Sequence, residues 1–107
     1  MAVIFTRRLA ATQFDVAGGH TVFGVPADQV TILRDIVVGS TATAAQDITV
    51  FMVSTGFTIP LGFFPAVPAN GGAHLELRQQ LLPSESVTIF LPTGGGSIAL
   101  TGYVFLS

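Results

Sequence analysis

Short runs rich in valine, isoleucine, threonine and phenylalanine alternate along the chain with clusters of glycine, proline, asparagine and serine, the pattern of strands joined by turns. The runs are AVIFTRRL (Ala2 to Leu9), HTVFGV (His20 to Val25), QVTILRDIVV (Gln29 to Val38), QDITVFMVS (Gln46 to Ser54), FTIPLGFF (Phe57 to Phe64), HLELRQQL (His74 to Leu81), VTIFL (Val87 to Leu91) and SIALTGYVFL (Ser97 to Leu106). They predict about eight strands and no helix. The expected fold is all-β, a two-layer antiparallel β-sandwich of jelly-roll type, formed as a single domain over residues 1–107.

Side-chain alternation divides these strands into two kinds. In HLELRQQL, Leu75, Leu77, Gln79 and Leu81 point one way and His74, Glu76, Arg78 and Gln80 the other, as a half-exposed strand requires. Gln29 to Val38 is apolar on both sides: Val30, Ile32, Ile36 and Val38 read as one face, Leu33 and Val37 as the other. Gln46 to Ser54 sets Ile48, Val50 and Met52 against Phe51 and Val53. Phe90, Tyr103 and Phe105 oppose equally apolar sets on the last two strands. A sandwich strand has one face in the core and one outside, so two-faced apolar strands imply that the outer face also meets protein.

The stretch IPLGFFPAVPANGG, Ile59 to Gly72, holds adjacent phenylalanines and three prolines without a charge. Proline excludes most of it from helices and central strands, which predicts an apolar arm or loop over 59–72. Such an arm lies across a neighbouring subunit, or it folds over the end of its own sandwich; the first is preferred. The interface candidates are therefore Ile59, Pro60, Leu61, Phe63, Phe64, Pro65, Val67 and Pro68 on the arm, with Phe51, Phe90 and Phe105 on the strand faces.

Composition sharpens this reading. Charged residues make up 9% of the 107 positions and mean hydropathy is +0.70, against about 25% charged in ordinary soluble domains. A monomer of this mass exposes on the order of 5,600 Å², more than four arginines and six acids can cover. Homo-oligomerisation, with three copies as the expected number, follows. No hydrophobic run reaches the length of about 20 residues that a spanning helix needs, and the arginines of MAVIFTRRLA follow its apolar part, unlike a signal peptide. A net charge of −2 without a basic stripe argues against nucleic acid.

Candidate chemistry is sparse. Without cysteine there is no disulfide or thiolate site. His20 and His74 lie far apart in sequence, so no metal site is expected, and Asp15, Asp28 and Asp47 show no calcium-loop pattern. GGGS at Gly94 to Ser97 precedes a strand and reads as a hairpin turn, not a phosphate cradle. Asp35 and Glu76 are the mid-strand acids; Arg34 beside the first and Arg78 near the second make structural ion pairs the simplest expectation. No catalytic residue or cofactor is expected, and an enzyme is disfavoured.

Three stretches, TVFGVPADQVTILRDIVV (Thr21 to Val38), LLPSESVTIF (Leu81 to Phe90) and LTGYVFLS (Leu100 to Ser107), resemble small all-β virion structural proteins of tailed bacteriophages, as does the opening IFTRRLAATQ. Asp28 and Ser84 stand where glycine is common in that type. The resemblance implies an oligomeric accessory part of a virion, assembled in the host cytoplasm, whose partners are the major capsid or tail proteins of the same particle. Capsid decoration is favoured over a minor tail or tail-tip role. The rival from another class is a carbohydrate-binding sandwich, which the lack of tryptophan and the single tyrosine, Tyr103, disfavour.

Overall fold

The computed structural model describes residues 3–106, with side chains from 8 to 105. Eight strands follow one another: β1 (Val3–Phe14), β2 (Gly18–Gly24), β3 (Gln29–Ser40), β4 (Gln46–Ser54), β5 (Phe57–Val67), β6 (Gly72–Leu81), β7 (Ser86–Leu91) and β8 (Gly96–Leu106). They form two antiparallel four-stranded sheets in the orders β1-β8-β3-β6 and β2-β7-β4-β5. Sequential strands thus cross repeatedly between the layers, the connectivity of a jelly roll with two Greek keys.

The core lies between the layers. Leu33, Ile36, Ile48, Leu81, Ile89, Leu91 and Leu100 are fully buried there, and each contributes roughly 1.5–3 kcal/mol by leaving water. Gln46 is the polar exception, 4% exposed. Its amide donates to Ser40 Oγ (3.1 Å) and the Gly94 carbonyl (2.9 Å), and its oxygen accepts from Thr93 Oγ1 (3.0 Å). One satisfied side chain thereby ties β3, β4 and the β7–β8 turn together. At the open side, Phe14 of β1 stacks on His20 of β2 with ring centroids 4.4 Å apart, and His20 Nε2 donates to the Val16 carbonyl at 2.6 Å.

Strand β3 departs from the alternation expected for it. Its buried residues are Thr31, Leu33, Ile36, Val38 and Ser40, so Leu33 belongs to the core face, while Val30 and Ile32 lie on the outer one. The cause is a bulge: the register with β8 shifts between Leu33 and Asp35, which leaves Arg34 as an extra residue and reverses the phase of the side chains. The slip spreads across the sheet. Leu100 to Gly102 in β8 runs beside Leu33 to Ile36 in β3 and Leu75 to Gln79 in β6, and β1 slips against β8 between Arg8 and Ala10. Crowding follows at Gly102, where a Cβ would collide with the Ile32 carbonyl oxygen and lie 3.2 Å from Leu33 Cα.

The segment expected as an arm is mostly a strand. Residues 59–67 belong to β5, at the end of its sheet, where one edge needs no partner and proline is tolerated. The accessible surface of 5689 Å² matches the area of about 5,600 Å² for a chain of this mass. After β5 a turn closes with Gly71 N donating to the Pro68 carbonyl at 2.9 Å and Asn70 at φ 56°. A matching turn after β6 has Glu85 N on the Leu82 carbonyl at 3.1 Å, Pro83 at the first corner and Ser84 at φ 74°. Both are type II turns, whose second corner favours glycine. Asp28 has no positive φ, so its turn has no need of one.

Gly102→Ala is expected to lower the free energy of unfolding by about 3 kcal/mol, because backbone must move to admit the methyl group. Ser84→Gly is expected to raise it by about 1 kcal/mol by relieving a left-handed residue. Urea denaturation at constant slope measures both.

Candidate interaction surfaces

Alternation along β7, β4 and β5 decides what the outside of the β2-β7-β4-β5 sheet presents. Val87, Ile89 and Leu91 of β7, and Ile48, Val50 and Met52 of β4, turn inward. The intervening residues therefore face out, and the register sets them in rows. Phe90, Thr49 and Phe63 form one row, beside Gly19; Thr88, Phe51 and Pro60 form the next, beside Thr21; Ser86, Val53 and Thr58 follow. No residue of these rows is ionisable. Phe63 is 59% exposed and Phe90 42%, while Phe51 is half-buried among its neighbours. The nearest charge, Asp47, sits at the end of the face, where its Oδ1 accepts the Ala66 N–H at 2.8 Å. That bond holds a second irregularity, since β5 slips against β4 between Gln46 and Ile48 and Ala66 has φ 49°.

The other sheet carries most of the charges that lie on strands. Arg8 pairs with Thr101 of β8, Thr101 with Asp35 of β3, and Asp35 with Glu76 of β6. Arg34 and Arg78 follow in the bulged band. Together with Ile32, Tyr103 and Phe105 these two arginines line an open depression of about 350 Å³. Arg34 donates from Nη1 to the Tyr103 hydroxyl at 3.1 Å, with its guanidinium carbon 5.4 Å from the ring centroid, a cation–π arrangement. Asp35 Oδ1 accepts from His74 Nε2 at 3.0 Å, the one contact of ion-pair length among the described residues.

These contacts replace the expected ion pairs. Asp35 turns to His74 and Arg34 to Tyr103, because the bulge turns Arg34 outward on the same face as the Ile32–Tyr103 pair. Glu76 and Arg78 form no bridge among the described residues. Asp35, His74 and Glu76 instead bring one ligand atom each within 4.8 Å of one another, a set able to offer two carboxylates and an imidazole to a divalent cation. Alternation along β6 sets His74 and Glu76 on one face, and the pairing of β3 with β6 adds Asp35 to them.

The arm candidates separate in the same way. Phe64 and Val67 are buried, at 6% and 2% exposure, and Leu61 packs on the core; the chain covers them itself. Phe63 and Ile59 remain exposed, as do Pro60, Pro65 and Pro68. Phe105 is half-buried on the charged sheet, away from Phe51 and Phe90.

No protein-family model matches the chain, and no curated protein matches its sequence. Solved structures share its fold. A chain of the acid-stable capsid of the Helicobacter pylori bacteriophage KHP30 aligns with a TM-score of 0.62 at 10% identity, over 99% of this chain and 92% of that one. A chain of the Bacillus endospore appendages, a family of disulfide-linked pili, aligns at 0.54 and 11% identity, over 100% and 90%. The Drosophila NLP core, a structure bearing on pentamer formation and histone binding, aligns at 0.50 and 19% identity, over 96% of each chain. At these identities the likeness is one of fold.

The adjacent phenylalanines give a direct check of the two environments. Phe64→Ala is expected to cost about 3–5 kcal/mol of stability through the cavity it leaves, whereas Phe63→Ser changes monomer stability by no more than about 0.5 kcal/mol; chemical denaturation at low protein concentration distinguishes them.

Proposed function

We propose that this chain is a non-catalytic structural accessory protein of a tailed-phage virion, self-associating and held on the particle surface, with capsid decoration ahead of a tail role. The observation that carries the reading is the outer face of β2-β7-β4-β5, uncharged over its three central rows, with Phe51, Phe63 and Phe90 on it. A sheet face whose three central rows lack charge gains by covering, since apolar area removed from water is worth about 25 cal/mol per Å² and contiguous exposed apolar patches mark contact sites. A particle offers a repeating surface for it, so a modest contact per subunit suffices when many subunits bind. The fold shared with a phage capsid chain supports the reading by analogy, and the resemblance of its turn-and-strand motifs to small virion proteins points the same way.

In this arrangement the proteins beneath are the major capsid or tail proteins of the same particle, and the charged sheet faces away from them. The chain's place is then the virion. The test is reconstitution. Purified protein added to particles lacking it is expected to co-sediment with them at saturable stoichiometry, and Phe63→Glu to abolish co-sedimentation while the variant stays folded. Absence of binding by the wild-type chain, or undiminished binding by Phe63→Glu, rejects the reading.

A further inference from the structure

Strand β6 ends its sheet, so among the described residues one of its edges presents backbone N–H and C=O groups with no strand beside them. The end strand of the other sheet, β5, is guarded by Pro60 and Pro65 and by two register slips, devices that keep an edge from pairing. β6 has ten residues and no proline. Its one irregularity, against β3 at Leu77 and Arg78, adds twist and leaves the strand continuous.

The outward charges of β6 are at odds with their neighbours inside a single chain. Asp35 sits directly opposite Glu76, and like charges facing each other across strands destabilise a sheet. Arg34 falls between the Leu33–Gln79 and Asp35–Glu76 pairs and shares a depression with Arg78. Acid thus neighbours acid and arginine neighbours arginine, with no arginine–carboxylate bridge among the described residues.

We infer that the free edge of β6 pairs antiparallel with the same edge of a second copy of this chain, Leu77 opposite Leu77 of the second copy. In that register Glu76 meets Arg78 of the second copy, Arg78 meets Glu76, and His74 meets Gln80. The acid pair Asp35–Glu76 continues across the joint into the arginines of the second copy, and the arginine pair into its acids. Neighbouring registers fail. A shift that sets Glu76 opposite itself, or Arg78 opposite itself, juxtaposes like charges, and a one-residue slip puts the outward residues of one strand against the inward residues of the other. Charge therefore selects both the partner and the register. The contact is two-fold, so this edge does not build the trimer expected from the sequence.

Sedimentation equilibrium of the full chain with Glu76→Arg, Arg78→Glu and the double variant E76R/R78E tests this. Dimerisation of the wild-type chain in the micromolar range is expected, each single reversal weakening it about tenfold and the double variant restoring it. A monomeric wild-type chain, single reversals without effect, or a double variant without rescue overturns the inference. Should a single variant fail to fold, amide hydrogen exchange of the wild-type chain decides. Protection of β6 amides that grows with concentration supports the pairing, and exchange indifferent to concentration overturns it. The inference does not rest on the virion reading, because this experiment contains no particles and the co-sedimentation experiment does not alter β6.

Discussion

Alternation of side chains across a pleated strand commits every second residue to the core, and this chain suspends that rule in one band of one sheet. At Arg34 the bulge turns two successive residues outward, and matching slips run through β1 at Leu9 and β6 at Leu77 and Arg78. A bulge raises the number of side chains the outer surface presents per unit length while the core face keeps its spacing. The band is also where Arg8, Arg34, Asp35, Glu76 and Arg78 gather. Half of the ten charges thus occupy the zone where the backbone gives outward residues extra room, and Gly102 accommodates the resulting approach of β3 to β8.

The second sheet follows the opposite logic. The pairing of β7 with β4 is unbroken, its inner residues are buried, and its central outer rows hold phenylalanine, threonine, valine, serine, proline and glycine, with Asp47 at their end. Threonine and valine suit strands intrinsically, so local structure forms there without help from charge. What such a face lacks is strong hydration. The molecule is two-sided in a stricter sense than its composition implies: one sheet carries the solvating groups and the other the area that benefits from cover.

Strand positions were legible in the sequence because β-branched runs and turn residues are local signals, and β6 was legible down to its faces because its alternation is strict. The face assignment of Val30 and Ile32 failed because a bulge is set by pairing with β8, which no local pattern records. Phe64 and Val67 were misplaced for a different reason. Proline keeps a segment out of helices and central strands, but at a sheet end its missing N–H can point to solvent, so these residues lie in the edge strand β5 with their side chains in the core. The addition of Asp35 to His74 and Glu76, which alternation sets on one face, depends on a register across nearly forty positions of chain, and it was invisible for that reason.

Geometry links the two surfaces. In an antiparallel sheet, residues directly opposite each other lie on the same face, so a two-fold joint at β6 keeps the inward residues of both copies on one side. The second sheets of both copies then lie on that same side, and their uncharged faces point in a common direction. A dimer built in this way presents two apolar faces to one surface, and the second engages at the effective concentration set by the first. An edge contact governed by charge and a face contact governed by burial reinforce each other without sharing a residue. Weakening the edge would reduce surface binding by lowering valency, even though β6 itself touches nothing beneath, whereas altering Phe63 would leave the edge intact.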